Sequence, residues 1–389
     1  MDRRLFLRLF ASATSGAMVI PNALSASTTR NKDSFHHENK VIFIQLNGGN
    51  DGLNTFIPYE DPLYYELRKT IAIPKEKLIN RSNGIAFHPA LKELANISQN
   101  GDLSLIQNVG YPNPNRSHFR SREIWQTASD SNEYITDGWL GRYLDHQYGD
   151  HSLSGINIDK TENLALKSEQ INNITIKDLT RLHKSIQGTS KLVLSNNPQL
   201  DFVRKISYAS AEGSKEISQA LKKSQYSTGS YPNSALGNNL KWISKLVKST
   251  LSTDVFYTSI GGFDTHRNQL FMHQRKLKEV NDAVYALYED LKRDGFIENT
   301  TIVLFSEFGR RVKENGSGTD HGTAGPMVII GGNNKGQIIG GNPNLRDLDH
   351  GDLKYQIDFR SVYASLLKDK LNFNPTLLDI QQNPLKGLF

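Results

Sequence analysis

Apolar residues gather in this chain into short, nearly continuous runs. Val41–Leu46 is one, and it ends abruptly in the polar stretch Asn47-Gly-Gly-Asn-Asp-Gly52. Similar runs recur at Leu103–Val109, Val255–Ile260, Thr301–Phe305 and Pro326–Ile330. Continuous rather than alternating apolar runs mark strands covered on both faces, as in a parallel sheet. Between Val255–Ile260 and Thr301–Phe305 the period changes. Leu270, Leu277, Val280, Val284, Leu287 and Leu291 recur at helical spacing with charges on the other face, which predicts an amphipathic helix closed by Gly295. A helix is also predicted to open near His118 and run to Thr127, and another to begin at Asp358. Strands alternating with helices predict an α/β sandwich around a mostly parallel sheet. Residues 155–250 are rich in Asn, Ser, Lys and Gln. They read as a polar insertion, a cap or helical subdomain over the sheet, with one helix near Leu236–Leu251 and a pattern-poor loop over Gly229–Asn239.

The amino terminus has a different character. Arg3 and Arg4 precede Leu5, Phe6 and Leu7, a weakly apolar run continues to Pro21, and small residues surround Ala23 and Ala26. This reads as a twin-arginine export signal over residues 1–26, followed by a flexible polar segment over 27–40 and a single domain over 41–389. The expected location is periplasmic or secreted, with the twin-arginine export machinery as a partner. The leader falls short of the ~20 apolar residues that span a bilayer, and no later stretch is long and apolar enough, so no stable membrane span is expected in the mature chain. The formal charge of +6 is scattered, which argues against nucleic acid as a partner. The chain has no cysteine. Disulfides contribute nothing, and any metal must be held by His, Asp, Glu or Asn.

In open parallel sheets ligands bind beyond the carboxyl ends of the strands. The segments beyond or facing those ends are therefore the place to look. They are Asn47–Gly52, Tyr111–His118, Gly261–His266, Ser306–Arg311 and Gly318–Thr323. Each alone has an ordinary reading: a tight turn at Asn47–Gly52, a surface ion pair between Glu307 and Arg310 or Arg311, a helix N-cap at Ser117. Together they bring carboxylates at Asp51, Asp264, Glu307 and Asp320 and imidazoles at His266 and His321. Such an oxygen- and nitrogen-rich set suits a divalent ion: zinc, manganese, magnesium or calcium. Clustered carboxylates would repel one another without a cation.

Asn47-Gly-Gly-Asn-Asp-Gly52, His88-Pro-Ala-Leu91, Pro112-Asn-Pro-Asn-Arg-Ser-His-Phe119, Phe263-Asp-Thr-His266, Ser306-Glu-Phe-Gly-Arg310, Thr319-Asp-His-Gly322 and Asp358-Phe-Arg-Ser-Val-Tyr363 together resemble the DUF1501 family. Its members are exported bacterial proteins related to sulfatases and alkaline phosphatases. The resemblance implies an alkaline-phosphatase-like three-layer α/β/α sandwich. It also implies metal-binding roles for Asn47, where the superfamily has Asp, or Asp51 in its stead, and for Asp264, His266, Glu307, Asp320 and His321. Ser117 is the hydroxyl best placed as nucleophile, with Asn115 or His118 as alternatives at that point. Arg116, Arg310 or Arg311 would balance charge on the ester oxygens, and His118 or His321 would carry a proton. Two departures, Asn47 for Asp and Phe308 for His, fall on the same metal position, which implies at most one well-formed metal site. The expected activity is metal-dependent hydrolysis of a phosphate or sulfate ester, on a small molecule or polysaccharide. The same departures motivate the alternative of a non-catalytic descendant that binds an envelope polysaccharide or protein partner.

Overall fold

A computed structural model describes residues 39–149, 153–170, 173–177 and 197–389. Residues 1–26, expected to be an export signal, and all but the end of the segment 27–40 lie outside the described residues. Among those described, one central sheet has nine strands. In chain order they are β1 (Lys40–Asn47), β2 (Leu103–Gly110), β3 (Gly155–Ile158), β4 (Asn173–Ile176), β5 (Val255–Gly261), β6 (Thr300–Phe305), β7 (Gly325–Gly331), β8 (Ile338–Ile339) and β9 (Ile357–Asp358). Their spatial order is β8-β2-β7-β6-β1-β5-β3-β4, with β9 also paired to β2. β1 lies at the centre, with Val41 opposite both Val255 and Thr301. Every pairing is parallel except those of β7, which runs antiparallel to both β2 and β6. That reversal has a functional consequence: the start of β7, rather than its end, lies on the edge where the other strands finish.

The apolar runs divide by strand alternation, because successive side chains of a strand face opposite sides. Ile42, Ile44 and Leu46 of β1 pack into one core with Leu236, Leu240, Val280 and Leu287. These come from α6 (Ala235–Val247) and α7 (Gln269–Arg293). Val41 and Phe43 face the other way, into a second core with Trp125, Trp139, Phe359 and Tyr363. Those come from α3 (His118–Thr127), α4 (Trp139–Tyr148) and α8 (Phe359–Ser365). Helices on both faces of a mostly parallel sheet make a mixed α/β sandwich. The remaining helices are α1 (Pro62–Leu67), α2 (Lys92–Gln99) and α5 (Pro198–Lys223).

Part of the polar middle belongs to the sheet: β3 pairs with β5 and β4 with β3. α6 is core, with Leu236, Leu240, Ile243 and Leu246 buried. The pattern-poor stretch before it is tethered: the Gly229 N–H donates to Asp290 at 2.8 Å, and Ser234 caps α6 by accepting from the Gly237 N–H at 3.0 Å.

Candidate active site

Asp264 stands at the centre of the carboxyl edge, three residues beyond β5. Two glycines let the chain reach it. Gly48, just past β1, has φ +119°, and a Cβ there would lie 2.3 Å from the Asp264 nitrogen. Gly318 passes equally close to the backbone at Thr265 and His266. An isolated bridge between Arg310 and His321 ties the loop after β6 to the segment before β7.

Three imidazoles surround Asp264, one from the first residue of α3 and two from loops. His321 Nε2 lies 3.1 Å and His266 Nε2 3.0 Å from Asp264 Oδ1, and the two nitrogens are 3.0 Å apart. His118 Nε2, buried and without a hydrogen-bond partner, faces Asp264 Oδ2 at 3.4 Å. The opposite nitrogen of each ring is committed to an oxygen. His118 Nδ1 pairs with Glu307 Oε1 at 2.9 Å, His266 Nδ1 with Asp320 Oδ1 at 3.0 Å, and His321 Nδ1 with the Arg116 carbonyl at 2.8 Å. Those oxygens accept, so the tautomer with its proton on Nδ1 satisfies them and leaves Nε2 free to ligate, whereas the other tautomer lets His321 Nε2 donate to Asp264. In the first tautomer three acceptor nitrogens and a carboxylate converge on one point. Such a set of acceptors is held stably by a cation, and rings backed by carboxylate or carbonyl are the usual supports of metal-binding histidine.

The donor set fits a divalent ion. Asp264, His266 and His321 form a triangle of acceptor atoms with edges of 3.0–3.1 Å. Corners of a tetrahedral zinc site with bonds of about 2.0–2.1 Å lie about 3.3 Å apart, close to that size. His118, Asp264 and His321 likewise offer ligand atoms within 4.8 Å of one another.

Charge is arranged to match. Burial pushes the Asp264 carboxyl up, but its hydrogen bonds with Arg310 and His321 outweigh that and hold it below the usual carboxylate range. The hydrogen bond from His266 does the same for Asp320. His118 is raised by its bond to Glu307, against the effect of burial.

The other sequence-predicted residues fall into distinct places. Glu307 and Asp320 sit behind His118 and His266, orienting rings rather than joining the triangle. Glu307 Oε1 also accepts the Gly48 N–H at 2.9 Å, fixing the end of β1. Asp51 is elsewhere. It is sealed in an ion pair with Arg68 at 2.6 Å, both side chains fully buried, and also accepts from Gln269. Losing one partner of such a pair costs about 3–5 kcal/mol, so Asp51 is a structural anchor. Asn47 is not among the atoms around Asp264; its Oδ1 is buried without a partner. Phe308 stacks at 4.9 Å from the His118 ring and 5.0 Å from that of His321. Arg310 is fully buried and donates to Asp264, the Gly48 carbonyl and Thr319. It holds Asp264 in place and has little left to grip a substrate. Arg116 is half-exposed and paired with Asp352, which Arg311 approaches at 3.7 Å. Ser117 is exposed at the N-cap of α3 and makes no capping bond through its side chain. Sequence reasoning missed Asp352 and Arg68, which share no spacing or motif with their partners.

Residues 38–351 match the family described as protein of unknown function (DUF1501). No curated protein matches the chain. Among solved structures, the chain is similar to a phosphonate monoester hydrolase from Silicibacter pomeroyi, at 10% identity over 90% of this chain and 76% of that one, TM-score 0.40. It is similar to a sulfatase from Pseudoalteromonas sp., at 11% identity over 90% and 73%, TM-score 0.39. It is also similar to the C-terminal periplasmic domain of EcEptC from Escherichia coli in complex with zinc, at 11% identity over 75% and 72%, TM-score 0.38.

Proposed function

The chain belongs to the DUF1501 family, and we propose that it is an exported, metal-dependent hydrolase of phosphate or sulfate esters. One observation carries this reading. Three imidazoles from separate segments turn Nε2 toward Asp264, and each has an oxygen acceptor for a proton on Nδ1. Asp264, His266 and His321 would hold one divalent ion. When bound, such an ion polarises an ester oxygen and lowers the pKa of a coordinated hydroxyl.

The chain's own residues supply the remainder. Ser117 presents its hydroxyl at the amino end of α3, where the unpaired backbone N–H groups favour developing negative charge. His118, held by Glu307, offers Nε2 as acceptor for the proton released in the attack. Arg116 projects from the residue before Ser117, with Asp352 holding its guanidinium at the exposed side of the site, where it can meet the non-bridging oxygens. Arg310 keeps Asp264 ionised and in place. The amino-terminal twin-arginine pattern supports action outside the cytoplasm, in the periplasm or beyond.

The test is elemental analysis of the purified chain beside assays on aryl phosphate and aryl sulfate. The expected result is about one divalent ion per chain, with both ion and turnover lost in His266→Ala while the fold is retained by circular dichroism. Folded protein that neither carries nor takes up a divalent ion would overturn the proposal.

A further inference from the structure

The carboxyl edge of the sheet holds a second hollow beside the imidazole cluster. It is a cavity of about 230 Å³ bounded by the ends of β1 and β5, the loop after β3 and the outward side of α3. Two carboxamides of β1, Gln45 and Asn47, share its face by strand alternation. Gln45 is only 1% exposed. Its Oε1 accepts from the Tyr257 hydroxyl at 2.6 Å and from Gln126 at 3.0 Å, while its Nε2 has no partner. Asn47 Oδ1 is likewise buried and unpartnered. Both residues line the hollow, and each has one buried amide atom without a hydrogen-bond partner, a donor on Gln45 and an acceptor on Asn47. A hydroxyl satisfies both kinds of need, whereas an apolar group would leave two buried polar atoms orphaned.

The rim adds an aromatic face. Phe119 is 81% exposed, and the Arg122 guanidinium lies 5.4 Å from the centre of its ring. With only that neighbour, the ring leaves a broad apolar surface toward solvent. Glu123, Asp159 and Glu162 against Arg122 give the hollow a negative balance. An open aromatic face, carboxamides and carboxylates suit a ring with apolar C–H faces and hydroxyls at its edge. The negative balance disfavours an anionic ring.

The position ties this hollow to the reaction. Asn47 precedes Gly48, whose N–H donates to Glu307, and Phe119 comes directly after His118. We propose that this hollow binds the alcohol portion of the ester, and that this alcohol is a neutral hexopyranoside. The assignment rests on the hydrolase reading for its catalytic meaning, but the binding it asserts can be measured separately.

The experiment is calorimetric titration of the full chain, with zinc present, using the methyl glycosides of glucose, galactose and mannose and the methyl glycoside of glucuronic acid. At least one neutral glycoside is expected to bind saturably and the glucuronide more weakly. Phe119→Ala should weaken the neutral binding by about fivefold to tenfold, the range for loss of an aromatic face, and His266→Ala should leave it unchanged. Gln45→Glu, which replaces the free donor by an acceptor, should weaken it as well; Phe119→Ala, on the surface, remains informative if that buried variant misfolds. No binding of any neutral glycoside, equal binding of the glucuronide, or indifference to Phe119→Ala would mean that solvent alone fills the hollow. Glycoside binding without metal or turnover would sink the hydrolase and spare the subsite; aryl ester cleavage without glycoside binding would do the reverse.

Discussion

At the scale of single residues, what separates the proposed ligands from the proposed proton acceptor is which oxygen of Asp264 a ring faces. His266 and His321 turn Nε2 to the same oxygen of Asp264, while His118 turns its own to the other oxygen, slightly farther away. This predicts a split between two similar variants. His118→Ala should keep the ion, because the triangle of Asp264, His266 and His321 is intact, yet lower kcat by about 10²–10⁴-fold, the usual worth of a placed proton acceptor. Metal analysis and ester kinetics on the same preparation read the two effects apart, and loss of the ion from His118→Ala would make that residue a ligand instead. The Asp-x-His spacing after a strand made Asp264 and His266 legible in the sequence. The fate of Asp51 was not. Its partner Arg68 lies 17 residues away with no periodic relation to it, and a carboxylate looks the same in sequence whether it awaits a cation or already has a guanidinium.

At the scale of elements, the strands that were legible are those whose two faces are both covered. β1, β2, β5, β6 and β7 read as mostly apolar runs for that reason. β3 and β4 escaped because each offers only four residues, Gly-Ile-Asn-Ile and Asn-Ile-Thr-Ile, in which polar and apolar positions alternate too briefly to stand out from the surrounding Asn and Ser. The reversal of β7 was invisible to pattern, yet the segment before that run does bring His321 to Asp264. The glycine that lets β1 pass beneath Asp264 gives a test at this scale. In Gly48→Ala the new Cβ would meet backbone at 2.3 Å, and φ is +119°. The strained conformation alone costs about 1–3 kcal/mol, and the collision, with backbone rather than a flexible side chain, must move Asp264. Gly295 has φ +79° but open space around it, so Gly295→Ala should show the conformational cost alone, about 1–2 kcal/mol. The expected result is a lower melting temperature for both, larger for Gly48→Ala, with loss of bound metal only in Gly48→Ala. Unchanged metal affinity in that variant would show that the end of β1 does not set the position of Asp264.

At the scale of the whole molecule, two histidines that take no part in the cluster make stability depend on pH. His88 and His273 are buried, with ring centres 6.2 Å apart. His88 accepts the Ala90 N–H on Nδ1, capping a short turn, and His273 Nε2 pairs with the Asn50 side chain at 2.9 Å. Burial first, then repulsion from the neighbouring His273, lowers His88 to about 3. Burial lowers His273 to about 4, although Asp51 pulls the other way. An unfolded chain protonates both near pH 6.5. Between about pH 6.5 and about pH 4 the unfolded state therefore binds more protons than the native state, and stability falls as the pH falls, by up to about 1.4 kcal/mol per pH unit for each imidazole. His118 does not cancel this. Its raised pKa, set chiefly by Glu307, adds stability that is complete below about pH 6.5 and fades as the pH rises above it, a different window. The depressed carboxyls of Asp51 and Asp264 act with the same sign as the buried imidazoles, but below the ordinary carboxylate range. Urea midpoints should therefore decline between about pH 6.5 and about pH 5, and His273→Gln, which can keep a hydrogen bond to Asn50 without titrating, should show about half that slope. An equal slope in wild type and His273→Gln would mean that His273 is charged inside the fold, and the packing of α7 against the end of β1 would have to admit water to make that so.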